Sequence, residues 1–230
     1  MMLRSLRSSA CKSVCSSILR RHSAAAASDA LQSQSQSPFE SRLRTILRNE
    51  IQYQHDYAPP HQPVTEFNRF VVEDRPGQQW ITLRSESAEG ENIKIEATMF
   101  DGSILANQGS ECDDEEQQEA IHLHISMLVD IWRKGEETDH DPMEFVCSAW
   151  PHSLEIQKVY TLNRLRSPTQ PYMGPDIKNV NSKLRTGFYE FLDARGINGD
   201  LSRFLHQYMM NKDRIELIQW LGKVQSYFEK

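Results

Sequence analysis

Residues 92–100, Asn-Ile-Lys-Ile-Glu-Ala-Thr-Met-Phe, put Ile93, Ile95, Ala97 and Met99 on one side of an extended chain and Lys94, Glu96 and Thr98 on the other. Successive side chains of a strand point to opposite faces, so this period of two reads as a half-buried strand. The pattern recurs on both sides of it. Residues 66–73, 79–84, 120–132, 143–150 and 153–161 are similar runs rich in Val, Ile, Phe, Tyr and Trp. Together they predict a sheet of six or seven strands. The joints Arg75-Pro76-Gly77, Ala88-Glu89-Gly90 and Pro151 are short, and no helical stretch intervenes for a parallel crossover. The sheet should therefore be antiparallel and mostly a meander.

On either side of this block the period becomes helical. Residues 38–54 set Phe39, Leu43, Ile46, Leu47 and Ile51 at helical spacing, with Pro38 suited to the first turn, and residues 57–63 form a proline-rich linker. After Tyr172-Met173-Gly174-Pro175 a stripe of Ile177, Val180, Leu184, Phe188, Phe191 and Leu192 predicts a helix starting at Pro175. Gly196 can take the left-handed position behind it while Ile197 folds back on Leu192. Asn198-Gly199-Asp200 supplies the cap of a last helix, with Leu201, Phe204, Leu205, Tyr208, Met209, Leu217, Trp220, Leu221, Val224 and Phe228 as its apolar positions. The order is α+β, with one N-terminal and two C-terminal helices laid against one sheet face. These stripes carry more apolar surface than one sheet face covers, which makes Phe204, Leu205, Tyr208, Met209, Trp220 and Leu221 candidates for helix packing or oligomer contact.

The chain has 230 residues, a net charge of −6 and a mean hydropathy of −0.62, and no apolar run approaches the ~20 residues of a membrane span. Membrane insertion is not expected. The charge is unevenly placed. The first 37 residues hold five basic side chains (Arg4, Arg7, Lys12, Arg20, Arg21) against Asp29 alone, which leaves 21 basic and 31 acidic residues, net −10, in 38–230. Residues 1–28 contain no acid, are rich in Arg, Ser and Ala, and place Leu3, Leu6 and Ala10 at helical spacing. That is the pattern of an organellar transit peptide, while the interrupted apolar run argues against a secretory signal. The expected division is a transit peptide and low-complexity linker over 1–37, then a single acidic domain over 38–230. The predicted address is a mitochondrion, with a plastid as the alternative. Only Cys112 and Cys147 follow the presequence, too few for a disulfide framework, and no Asn-x-Ser/Thr sequon occurs.

The least ordinary stretch is 111–119, where Glu111, Asp113, Asp114, Glu115, Glu116 and Glu119 place six acids in nine residues. Such a run reads as a solvated loop whose charge attracts basic partners; it lacks the spacing and central glycine of a calcium loop. His122 and His124, two apart on a strand, share a face and give the alternative of a metal-dependent enzyme, although no carboxylate follows at a supporting spacing. Arg164, Arg166, Lys183 and Arg185 give a further alternative, an RNA-associated module, against which the acidic net charge counts. Cys147 reads as a buried thiol with no nucleophile motif around it. No phosphate-binding or dinucleotide glycine pattern occurs, and no catalytic residue, metal or cofactor is expected.

The order of elements, the acidic insertion and the tail resemble one known family. The most specific segments are Tyr189-Glu-Phe-Leu-Asp-Ala-Arg-Gly-Ile, then Phe204-Leu-His-Gln-Tyr-Met-Met-Asn-Lys and Trp220-Leu. Over residues 38–230 the chain resembles the mitochondrial acidic matrix protein family, also called the complement component 1 Q-binding protein or mitochondrial glycoprotein family. The resemblance implies a ring-shaped homotrimer of seven-stranded twisted sheets with a strongly negative surface. It also implies a non-enzymatic protein that binds and scaffolds or chaperones basic partner proteins, supports mitochondrial translation and respiratory-complex production, and meets RNA through ribosomal association. The acidic insertion is short for the family. The number three comes from the resemblance alone.

Overall fold

The computed structural model describes residues 37–86, 90–106, 120–133, 142–161 and 172–229. The transit-peptide reading of 1–37 falls, but for Ser37, outside them. The chain begins with α1 (Pro38–Tyr57), then β1 (Glu66–Phe67), β2 (Phe70–Asp74), β3 (Trp80–Glu86), β4 (Glu91–Ala106), β5 (Ala120–Arg133), β6 (Met143–Trp150) and β7 (Ser153–Thr161). A 3-10 turn (Ile177–Asn179), α2 (Ser182–Asp193) and α3 (Gly199–Tyr227) complete it. The seven strands pair in sequence order, each antiparallel to the next, so the sheet is the expected meander.

Period-two burial aligns across the sheet. Ile81, Leu83, Ile93, Ile95, Ala97, Ile125, Met127, Val129, Phe145, Cys147 and Ala149 lie on one face and are nearly or wholly inaccessible. That face receives Leu192 of α2 and Leu201, Leu205 and Met209 of α3, also fully buried, while Phe188 and Phe191 of α2 contact the Phe145 ring. Thr82, Lys94 and Glu96 occupy alternate positions and stay partly accessible. α1 packs on α3 and buries Leu47.

Three local details differ from the sequence reading. The run 66–73 is not one strand: the chain reverses at Asn68, whose φ of 52° is left-handed, and β1 folds back on β2. Asn tolerates this conformation better than most residues. β4 continues beyond Phe100, because bulges between Ala97, Phe100 and Gly102 let the strand bend while it stays paired to β5. The first bulge also lets both Met99 and Phe100 pack on the core. Finally, Pro175 precedes the 3-10 turn, and α2 starts later, where the Asn181 carbonyl oxygen of the side chain accepts from Lys183 N–H at 2.9 Å.

The helix boundary read at Gly196 is present as a Schellman end. Gly196 has φ 76°, its N–H donates to Asp193 O at 2.8 Å and Ile197 N–H donates to Leu192 O at 3.0 Å. Asn198 caps α3 through Asp200 N–H at 3.0 Å. At about 1.5 Å per residue the 29 residues of α3 extend about 43 Å.

Candidate functional site

The two halves of α3 live in different surroundings. From Leu201 to Lys212 seven residues are buried, whereas beyond Lys212 only Leu221 is. Phe204, Leu205, Tyr208 and Met209 belong to the chain's own packing: Phe204 stacks on Phe67 of β1 at 4.2 Å, and Leu205 and Met209 lie on the sheet. Leu221 is buried too, while Trp220 is 57% exposed.

Trp220 has company. Met210, Leu217, Trp220 and Tyr227 are all exposed, at successive spacings of seven, three and seven residues. On α1 the exposed apolar residues Phe39, Ile46 and Tyr53 are also seven apart, and Tyr57 stacks on Tyr53 with centroids 5.3 Å apart. Spacings of three, four and seven keep residues on one stripe of a helix, and sustained heptad spacing is the seam along which helices pack against other helices. Exposed large apolar residues are informative when they line up, as they do here. The spacing is present in the sequence, where Phe39 and Ile46 belong to the apolar stripe of the first helix together with Leu43, Leu47 and Ile51.

A buried ionic group fixes α3 on the sheet. The Lys212 ammonium, 2% exposed, lies 2.6 Å from Asp74 Oδ1 of β2 and 3.0 Å from Glu216 Oε1 one turn along α3. Tyr208 O–H donates to Asp74 at 3.1 Å, and Gly77 N–H in the β2–β3 turn donates to Glu216 at 2.8 Å. Burial by itself would lower the Lys212 pKa, but hydrogen bonds and charge from Asp74 and Glu216 outweigh it and hold it above the usual lysine value. Burial would likewise raise Glu216, yet the Gly77 N–H and Lys212 bring it below the usual carboxylate value. Tyr208 is raised, first by burial and then by Asp74. Nearby, Asn211 exchanges two hydrogen bonds with the backbone of His61, tying the proline-rich linker to α3.

Glu111, Asp113, Asp114, Glu115, Glu116 and Glu119 fall between β4 and β5 and lie outside the described residues, as do Arg164 and Arg166. Lys183 and Arg185 lie on the first turn of α2. Several other cations are engaged with acids: Arg195 makes two hydrogen bonds to Glu91 while stacking 3.6 Å above Phe191, Arg84 pairs with Glu73, and Lys94 pairs with Glu96. On the sheet, Asp130 and Glu144 are directly opposed on β5 and β6, both buried, and Glu144 accepts from Tyr160 O–H.

His122 and His124 sit opposite Ile104 and Gly102. His124 Nδ1 is 2.7 Å from Asp101 Oδ1, and its ring is 4.8 Å from Trp150. Among the described residues no three His, Cys, Asp or Glu side chains converge as metal ligands. Burial pushes the Cys147 thiol up to about 12, which leaves it protonated and unreactive at neutral pH. Among the described residues no helix is long and apolar enough to cross a membrane.

Comparison with known proteins extends this picture. The family model described as mitochondrial glycoprotein (MAM33) matches residues 47–228. An uncharacterized mitochondrial protein of Arabidopsis thaliana is 29% identical over 163 residues, which cover 70% of this chain and 62% of that protein, less than two thirds of its length. The mitochondrial acidic protein mam33 of Schizosaccharomyces pombe is 24% identical over 217 residues, covering 82% of this chain and 78% of that one. Among solved structures, the Trypanosoma brucei p22 protein gives a TM-score of 0.64 at 19% identity, over 83% of this chain and 98% of its own. A Leishmania major protein described as a sequence homologue of human p32 gives 0.61 at 18% identity, over 83% and 99%. At these identities the likeness is one of fold.

Proposed function

The chain belongs to the mitochondrial glycoprotein (MAM33) family, and from that premise we propose that it is a non-enzymatic acidic protein of the mitochondrial matrix which binds and scaffolds or chaperones basic partner proteins. Its clients, in this reading, are proteins of mitochondrial translation and respiratory-complex production, with RNA met through the ribosome. Residues 1–37 direct import, and 38–230 form the working domain. The observation that carries the reading is the net charge of −10 on 38–230, sharpened by the six acids of 111–119. A homotrimer would multiply this charge and gather three acidic loops on one particle. The exposed stripes of α1 and α3 are the surfaces offered for that assembly.

Attraction between exposed charges is screened over about 8 Å at physiological ionic strength and about 3 Å at 1 M salt, so client affinity should fall steeply as salt rises. At about 0.2–1 kcal/mol per exposed pair, replacing Glu111, Asp113, Asp114, Glu115 and Glu116 by Gln and Asn should weaken binding about fivefold or more. Titration of a lysine-rich ribosomal protein against both forms tests this; equal affinities, or an affinity flat in salt, would sink the electrostatic reading. Assembly is tested separately by sedimentation of Leu217→Glu/Trp220→Glu. The sedimenting mass should drop with the circular dichroism of the sheet retained, and an unchanged mass would remove these stripes from the interface.

A further inference from the structure

Three imidazoles gather at one end of the sheet, beside the start of α3. His206 in the second turn of α3 is buried, donates Nε2–H to the Ala149 carbonyl of β6 at 3.0 Å and lies 5.5 Å from the Phe100 ring of β4. His124 of β5 bonds Asp101 of β4 and lies against Trp150 of β6. His152 occupies the β6–β7 turn, whose backbone comes so close to α3 that a Cβ on Gly199 would stand 3.0 Å from the His152 carbonyl oxygen. Ser202, fully buried, places Oγ against the Trp150 carbonyl oxygen and 3.0 Å from that of Ser153. The first turns of α3 are thus fastened to the β6–β7 turn and the strand ends that flank it: by the Ser202 hydroxyl to Trp150 and Ser153, by the His206 imidazole to Ala149 and by the close contact of Gly199 with His152.

This fastening is built for an uncharged His206. With its proton on Nε2 the ring serves the Ala149 carbonyl, and a second proton would put a cation in an apolar setting beside Phe100. The carboxylate at this corner, Asp101, is already engaged by His124 and by Thr98 O–H at 3.1 Å. The titratable groups that act on His206 are His124 from β5 and His152 from the turn, with Asp101 of β4 held on the His124 ring; on α3 itself Arg203 is paired with Asp200 at 2.9 Å. We propose that this corner is an acid-operated latch, in which proton uptake at His206 releases the first two turns of α3 from the β6–β7 turn while the sheet stays folded.

The sign follows from the setting. Burial depresses the His206 pKa, the Ala149 carbonyl opposes that, and positive charge on His152 and His124 depresses it further. A depressed folded-state pKa means the neutral form is favoured when the latch is closed. The closed state therefore has its full stability above the open-state value of about 6.5, and loses it as pH falls from there toward the depressed value.

Amide hydrogen exchange of the full chain between pH 7.5 and 5.5 tests the latch, with protection factors at Leu201 and Leu205 compared with those at Ile93 and Ile95 of β4. One coupled proton raises the opening equilibrium of α3 by up to about tenfold per pH unit below 6.5, with β4 unchanged. His206→Gln keeps an N–H for the Ala149 carbonyl and cannot take the proton, so its α3 protection should be flat in pH. His152→Gln removes a like charge and should reduce the slope, and it carries the test should the first variant not fold. Loss of protection in β4 in step with α3, or wild-type slopes in both variants, would overturn the proposal.

Discussion

Replacing Lys212 by Met tests how α3 is held to the β2–β3 hairpin. The ammonium is 2% exposed and sits between Asp74 at 2.6 Å and Glu216 at 3.0 Å, whose side chains are 19% and 20% exposed. Met fills much the same volume, so the change removes charge and two hydrogen bonds with little change in packing. Removing one partner of a buried pair costs about 3–5 kcal/mol, chiefly because the other charge is left desolvated. Here each carboxylate retains a donor, Tyr208 O–H for Asp74 and Gly77 N–H for Glu216, and each touches water. The expected loss is therefore lower, about 2–4 kcal/mol. The triple change Lys212→Met/Asp74→Asn/Glu216→Gln removes the stranded charges as well and should return to within about 1 kcal/mol of the wild type.

Urea unfolding at fixed protein concentration measures both, since self-association would otherwise move the midpoint. The pH dependence adds a second check. Glu216 has a lowered folded-state pKa, so its contribution is present above the ordinary glutamate value and lost as pH falls through the lowered one. Lys212 has a raised one, so its contribution is present below the ordinary lysine value of about 10.4 and lost only as pH rises through the folded value. The gap between wild type and Lys212→Met should consequently be widest at pH 6–9 and narrow as pH falls below the ordinary glutamate value and Glu216 takes up its proton. A single variant costing less than about 1 kcal/mol, or a triple variant as unstable as the single one, would refute the account of this group as a charge-paired anchor.

Two further outcomes follow from local geometry. Gly174 has φ 70°, and a Cβ there would lie 2.9 Å from the Val159 carbonyl oxygen of β7, so Gly174→Ala should lower stability by about 1–3 kcal/mol; thermal unfolding that shifts by less than 1 °C would contradict it. With Cys11, Cys15 and Cys112 changed to Ser, Cys147 should resist a thiol reagent at pH 8 in the native protein and react within minutes in urea, because burial and the raised pKa act together.

The sheet was legible because period-two patterning is imposed by burial of one face, and residues 92–100 carry it without interruption. The hairpin at Asn68 was not legible, since Glu66, Phe67, Phe70 and Val72 keep a strand-like composition across a turn that contains no glycine or proline. The reach of β4 past Phe100 was hidden for the opposite reason: Asp101-Gly102 reads as a turn, while the paired strand accommodates it with bulges. The helix ends at Gly196 and Asn198 were readable because capping is local chemistry. Lys212 was not, because its partners Asp74 and Tyr208 are brought together by tertiary packing, and a lysine on a helix ordinarily reads as solvated. The acidic run of 111–119 was the easiest feature to find in the sequence, and it falls outside the described residues.

Lys212 also marks where α3 stops being part of the sheet's core. On its N-terminal side the helix is stabilised by Leu201, Leu205 and Met209 against β-strands; on its C-terminal side Leu221 is the one described residue of α3 that is buried, and α1, which packs on α3, buries Leu47. Most of a helix's stability in a protein comes from packing its apolar face on something, and a pair that buries so little is poorly supported by its own contacts. In the proposed oligomer the heptad-spaced Phe39, Ile46 and Tyr53 and the exposed Met210, Leu217, Trp220 and Tyr227 would supply the missing contact area. In the proposed assembly, then, self-association would do more than concentrate negative charge: it would complete the packing of α1 and the second half of α3, so that the order of these helices and the presence of the oligomer are one equilibrium.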